Sequence, residues 1–434
     1  MVIVETRKKF AQFIDKFNTE DSILIPILSD RILHPVENSI SVLYVRFFDD
    51  EVYVLPFNHT ETINLPVEFI DRLYESNSVK YVYDKKLIGH ILSLNNVKDT
   101  NLIYYFQTNE PLEFDDDIKC YLFFQRRFEK QRDINTIIPI YKHIEYCDGC
   151  SNKMKEVIQT ADTKDYFDKY NNNVVNSLGF IEESGLMTTQ NKLVFTEYNL
   201  YTSTGRPSNR FGGTNFAALD KHDGSRKPYI SRFGSDGMLV EFDYEAYHPR
   251  LIADIIGYDF PTDISIYEYL GKQYGVDEYD KSKTITFKLL YGGIPDDIAQ
   301  NIKFFGKVKE YIKNRWNEYK QEFSVESDIY SRELCRKNLG SMSASKLFNY
   351  LIQLSETENN MRMLEELVPK IKGNKSKLIL YQYDSFLFDF CFDDGVTFLK
   401  QVKEIIEQEN KFVTKISGGI NYNDMKDITK KFVG

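Results

Sequence analysis

The sequence predicts a multidomain protein of mixed α/β and α+β class, and three patterns lead there. Short apolar runs alternate with helical patterns from Ile23 to roughly Thr100. Two apolar strands far apart in the second half each end in an acid, at Asp243 and Asp384, and a long helical region separates them. A chain of 434 residues is long enough for two or three domains, each with its own core.

The first domain is read as residues 1–155. It opens on Ile23-Leu24-Ile25-Pro26-Ile27, continues through Ser41 to Phe48, and returns over the turn Asp49-Asp50 into Glu51 to Leu55. Acidic Phe114-Asp115-Asp116-Asp117 and the polar stretch Tyr146 to Lys155 mark its expected end. The second domain, 156–434, begins with a helix around Asn172 to Ser184 and a loop-rich stretch from Thr196 to Asn215. A strand from Met238 to Phe242, a helix from Pro249 and helical patterning from about 263 to 370 follow. A hairpin around Asp384, a helix from Val396 to Glu407 and a strand from Phe412 to Ser417 complete it. No internal repeat or low-complexity tract interrupts this order.

Composition excludes some classes. No apolar run approaches the ~20 residues needed to span a bilayer. The amino terminus, Met1 to Lys9, is charged too early for a signal peptide, so with an odd count of 5 Cys the expected compartment is a reducing cytoplasm. His143, Cys147 and Cys150 would make half of a zinc site, but no second pair lies at a matching distance, and no structural zinc is expected. A net charge of -10 argues against a protein that coats nucleic acid, yet leaves open an enzyme whose cleft is locally basic.

The chemistry concentrates between Gly237 and Phe388. Asp243 closes the strand Gly237 to Phe242, and Asp384 sits in the polar turn between the apolar runs Lys377 to Gln382 and Ser385 to Phe388. Carboxylates are the hard ligands Mg²⁺ prefers, and two ions about 4 Å apart stabilise both oxygens of a phosphoryl transfer. Either acid alone reads as surface charge among 65 Asp and Glu. Lys283, Phe287 and Tyr291 fall at i, i+4 and i+8 on one helix face that ends at Gly292-Gly293. That face offers a cation for phosphates and two rings for sugar and base; alone it reads equally as an amphipathic helix with a solvated lysine.

Together these segments resemble the family A DNA polymerases of the bacterial polymerase I type. Phe242-Asp243-Tyr244 through Arg250 is similar to motif A, Lys283 through Gly292 to the fingers helix of motif B, and Tyr383-Asp384-Ser385 to motif C. Thr204-Gly205-Arg206-Pro207-Ser208 followed by Asn215 resembles the loop that meets primer and template. Asn349 and Gln353 match the pair that lines the DNA minor groove. The resemblance spans residues 196–434. It implies a right-hand palm, about 156–255 and 371–434, interrupted by fingers at about 256–370. The first domain looks faintly, through Val79 to Leu92 and Val97 to Tyr104, like a degenerate RNase H-like 3'-5' exonuclease whose strand Ile23 to Ile27 lacks the paired acids.

The resemblance further implies two Mg²⁺ ions, replaceable by Mn²⁺, held by Asp243, Asp384 and the Tyr244 carbonyl. Lys283 would neutralise the triphosphate and protonate departing pyrophosphate, and Tyr291 would stack near the templating pair. Phe287, where the family senses the 3'-hydroxyl, implies poor use of dideoxynucleotides. Arg206, Asn215, Asn349 and Gln353 would meet DNA, with Arg210, Arg226 and Lys227 as further loop contacts. The partners implied are primer-template DNA and dNTPs, with no membrane; brevity and a missing thumb would suit a phage-like or plasmid replisome with a clamp-like accessory protein, in the cytoplasm, the host's if phage-encoded.

Some positions depart from the pattern. His248 stands where a Glu bonds the fingers Tyr and blocks a ribose 2'-hydroxyl, Tyr279 replaces an Arg, and Ser385 replaces a Glu. Between Gly185 and Thr204 there is too little chain for the long helical thumb, so low processivity is expected. Two other readings stay open: a replisome scaffold without turnover, and an RNA-synthesising primase-like enzyme, which Phe287 disfavours.

Overall fold

Apolar strand runs build the first sheet. The computed structural model of the chain describes residues 1–29, 34–114, 139–162, 164–209, 214–261 and 264–431. Its first strands are β1 (Val2–Ile3), β2 (Ser22–Leu28), β3 (Ile40–Phe47), β4 (Val52–Pro56), β5 (Lys80–Val82) and β6 (Val97–Asp99), in the order β1-β4-β3-β2-β5-β6. Only β3 runs against its neighbours: it is antiparallel to β2 and β4, while β1 parallels β4, β5 parallels β2 and β6 parallels β5. This is the RNase H-like arrangement expected. All seven residues of β2 are buried, as a near-continuous apolar run in a central strand requires. Pro26 is tolerated there because β5 pairs only with Ser22 to Leu24, beyond which the missing N–H meets no β5 partner.

The chain divides into two compact units, Met1–Glu183 and Ser184–Gly434. The boundary expected near 155 thus falls inside the first unit. Tyr146 to Lys155 belongs to the helix Ile140–Thr160, which buries His143, Cys147, Cys150, Ser151, Met154 and Val157 at helical spacing. Its exposed polar residues form the outer face of an amphipathic helix, while buried Ser151 and half-buried Lys155 reach β3 and the turn after it. Arg46 Nη1 donates to Ser151 Oγ at 3.0 Å, and Lys155 Nζ to the Phe48 carbonyl at 3.0 Å. Burial pushes the Cys147 and Cys150 thiols well above their ordinary range. Asp115, Asp116 and Asp117 of the expected boundary, and Arg210, lie outside the described residues.

The second unit starts with short strands β7 (Leu186–Thr188), β8 (Leu193–Val194), β9 (Tyr198–Asn199), β10 (Ser208–Asn209) and β11 (Tyr229–Ile230), then β12 (Gly237–Tyr244). Fingers helices Ile266–Tyr274, Tyr279–Gly292 and Lys303–Gln321 share a core through Leu270, Leu290, Phe304, Phe305 and Val308. The small hairpin β13 (Ser324–Glu326) and β14 (Glu333–Cys335) leads into a 28-residue helix, Ala344–Ile371. The palm hairpin β15 (Lys377–Gln382) and β16 (Ser385–Cys391), the helix Gly395–Glu407, β17 (Thr414–Gly419) and β18 (Lys426–Asp427) complete the unit. The palm sheet has the order β15-β16-β12-β17-β18, so the strand before the fingers lies between strands that follow them.

Candidate active site

Sheet register brings the two acids together. β12 pairs antiparallel with β16 from Gly237 opposite Cys391 to Asp243 opposite Ser385, the residue after Asp384. The Tyr244 N–H donates to the Asp384 carbonyl at 2.9 Å, which ties the strand end to the hairpin tip. Pairing of Gln382 with Ser385 leaves Tyr383-Asp384 as a two-residue loop. Tyr383 there has φ +60°, a conformation hairpin turns usually give to glycine. Two contacts hold it: the Arg206 guanidinium lies 3.7 Å over its ring, and Asn360 Nδ2 donates to its carbonyl at 2.6 Å. Ala246, which precedes the helix Tyr247–Ile255, also has positive φ, +52°. Strained backbone therefore sits beside both acids, as is common where a site must be held rigidly.

The electrostatics suit a cation. Asp243 is half-buried and Asp384 is exposed, so both carboxylates open to solvent. Burial pushes Asp243 up to about 6, with Asp384 and Glu241 adding repulsion that Lys221 and Lys283 only partly offset. Asp384 is raised by the protein packed around it and then by Glu356, against His248 and Arg206. Lys221 Nζ stands 3.9 Å from Asp243 Oδ2, beyond hydrogen-bond reach. Among the described residues no three or more His, Cys, Asp or Glu side chains converge as a metal cage. Two hard carboxylates with solvent access still fit Mg²⁺, which takes one or two carboxylates and leaves its other positions to water and substrate phosphate. The Tyr244 ring is not available to a ligand: it is buried on Tyr247 at 4.3 Å and its hydroxyl donates to the Ile406 carbonyl at 2.9 Å.

The helix Tyr279–Gly292 presents the predicted face. Lys283 is exposed, 5.9 Å from the Tyr267 ring, and Tyr279 meets that ring edge-on at 5.5 Å. Phe287 and Tyr291 stack at 6.0 Å between centroids. The His248 ring lies 6.4 Å from Phe287 and 5.9 Å from Tyr291, whose hydroxyl hydrogen-bonds His248 Nδ1.

On the other flank, Thr204 Oγ1 donates to Gln353 Oε1 at 3.2 Å, and Gln353 Nε2 to Asn349 Oδ1 at 3.1 Å. The Thr204–Ser208 loop and the Asn349, Gln353 pair are thus neighbours. The Arg206 guanidinium, expected to meet DNA, turns inward to Glu356 at 3.0 Å. Arg226 is likewise buried, 4.3 Å over the Tyr422 ring and donating to the Leu219 carbonyl at 3.1 Å, so it braces its own loop. Lys227 is exposed, as is Asn215 at the start of the turn Phe216–Ala218.

Sequence reasoning missed Glu356, Asn360, Tyr267 and Lys221. Ser355 to Asn360 is a buried polar run in the long helix. Glu356 is 1% exposed, and Asn360 bridges the Tyr247 hydroxyl, at 2.7 Å, to the Tyr383 carbonyl. Nothing in a single sequence separates these residues from a solvated helix face.

A five-stranded sheet with two acids at adjoining strand ends, entered and left around a helical insertion, has the palm and fingers architecture of a polymerase domain. No protein-family model matches the chain. Its structure is similar to the POL domain of Pol1 from M. smegmatis, solved in complex with DNA primer-template and dNTP, with a TM-score of 0.73 that covers 98% of this chain and 100% of that one. Sequence identity is 13%, so that likeness is one of fold. In sequence it is similar to a DNA polymerase of Bacillus phage SP01, 23% identical over 317 residues, with 58% of this chain and 34% of the phage protein covered. The chain spans about a third of the length of that curated relative.

Proposed function

We propose that this chain is a family A-type, template-directed DNA polymerase that adds dNTPs to a primer 3'-end. The observation that carries the reading is the meeting of Asp243 and Asp384 at one end of the palm sheet, under the charge of Lys283 on the fingers helix. The likeness to polymerases in fold and sequence supports it.

Asp243 and Asp384, with the Tyr244 carbonyl, would hold two Mg²⁺ ions, which supply charge neutralisation for the attacking and leaving oxygens. The primer 3'-hydroxyl gives up its proton to water, its oxygen forms a bond to the α-phosphorus, the bond from that phosphorus to the bridging oxygen breaks, and pyrophosphate leaves. Lys283 neutralises the triphosphate and is the proton donor to the departing group. Phe287 and Tyr291 give the sugar and base an apolar wall, and His248 borders it. Arg206 acts through Tyr383 and Glu356 as much as through DNA, while Asn349 and Gln353 reach the duplex. Two features support low processivity without proofreading: β7, β8 and β9 occupy the segment where a thumb would stand, and β2 carries no acid. A clamp-like partner would supply the missing grip. Among the described residues no helix is long and apolar enough to cross a membrane.

The test is extension of a labelled primer on a DNA template with dNTPs and Mg²⁺, wild type beside Asp243→Ala and Asp384→Ala. Extension by the wild type alone sustains the reading. No extension by any of the three, even with Mn²⁺ and excess protein, leaves a DNA-binding scaffold as the better account.

A further inference from the structure

The least expected group near the site is a buried carboxylate. Glu356 comes from the middle of the helix Ala344–Ile371, yet it faces side chains from two other segments. Its Oε2 lies 3.0 Å from Arg206 Nε and 3.3 Å from His248 Nε2, and its Oε1 accepts from Arg206 Nη2 at 3.1 Å. A buried carboxylate is costly unless paired, so this one has a positional reason to be there.

That reason is on the far side of the imidazole. Glu356 Oε2 stands at ion-pair distance from Nε2, and the Tyr291 hydroxyl hydrogen-bonds Nδ1, so each edge of the ring faces its own partner. Both ring nitrogens are then committed, and the plane of His248 is set between the long helix and the fingers helix. Tyr291 stacks on Phe287, so the same bond sets the aromatic wall. The polar edge that a nucleotide sugar would meet beside that wall is therefore fixed from behind.

We propose that Glu356 is the positioning residue for sugar selection: it holds His248, and through it Tyr291, in the orientation that admits deoxyribose and refuses a ribose 2'-hydroxyl. The inference rests on the polymerase reading, and its test separates the two. Arg206, held by the same carboxylate and stacked on Tyr383 beside Asp384, links this pocket to the primer side.

The experiment measures kcat and KM for dNTP and rNTP addition to one primer-template by wild type, Glu356→Gln, His248→Ala and their double variant, after thermal melts establish that each is folded. Glu356→Gln should lower the dNTP-over-rNTP preference by about tenfold, the order expected for losing one charged hydrogen-bond partner. Most of the change should lie in rNTP KM. The double variant should be no less selective than His248→Ala, because the carboxylate acts only through the ring. Unchanged selectivity in folded Glu356→Gln, or an additive loss in the double variant, overturns the proposal. If Glu356→Gln does not fold, Tyr291→Phe decides: it should lower selectivity non-additively with His248→Ala, and independent effects would reject the relay. A wild type that extends with neither nucleotide refutes the polymerase reading instead.

Discussion

Each unit of this protein places two acids close together and raises the pKa of at least one, and the two pairs have opposite meanings. In the first unit Asp99 is fully buried and driven up by burial and by Asp84. Its oxygens are used, though: Oδ2 accepts from the Lys85 N–H at 2.9 Å and Oδ1 from the Leu102 N–H at 2.8 Å, while Asp84 caps the preceding helix, Lys85–Gly89, through the Leu87 N–H at 2.9 Å. In the second unit Asp243 and Asp384 open to solvent, and Lys221, which pairs with Asp243, stops at 3.9 Å. A raised carboxyl whose lone pairs are filled by backbone is a helix cap. A raised carboxyl facing solvent beside a second one is a place for a cation.

The strongest challenge to this contrast is exchange of the acids for amides. Asp243→Asn or Asp384→Asn should lower primer extension by roughly a thousandfold or more, on the scale of removing a main electrostatic stabiliser, with melting temperature held or raised. Asp99→Asn should leave extension near wild type and instead destabilise the fold by about 1 kcal/mol, read as a lower melting temperature, because the amide keeps only one of the two accepting oxygens. Activity lost in Asp99→Asn without loss of fold would break the contrast.

Metal should separate the pairs next. Mg²⁺ at about 100 times its dissociation constant should stabilise the wild type by about 2.7 kcal/mol, and Asp243→Asn should abolish that shift in a melt. Asp99→Asn should keep it in full.

The pH dependence follows with a defined sign. Asp99 titrates at the ordinary 3.8 when unfolded and well above it when folded, so between those values the native state holds the extra proton. Stability from this group therefore falls as pH rises from about 4 toward neutrality. Asp99→Asn should flatten that part of a melting-temperature profile. The smallest effect belongs to Lys221→Ala, which removes a favourable charge 3.9 Å from Asp243 and should move the metal-free titration of Asp243, near 6, upward by a few tenths of a unit in carboxyl-detected NMR.

Much of the second unit was legible because its signals are local. The apolar run Met238 to Phe242 ending in Asp243, the paired runs around Asp384 and the i, i+4, i+8 spacing of Lys283, Phe287 and Tyr291 each follow from strand or helix period alone. The boundary near 155 went astray for the same reason: a polar stretch reads as linker unless the buried spacing of Cys147, Cys150, Met154 and Val157 is given more weight.

By itself, the sequence determined the class of each unit, the acids at the strand ends and the helix face that carries Lys283, since these depend on periods of two and 3.6 residues within one element. Only the tertiary structure decided that Glu356 is buried, that Arg206 turns inward and that His248 bridges two helices. Those outcomes depend on which distant segment packs against a residue, and a charged side chain looks the same in sequence whether water or a partner cation surrounds it.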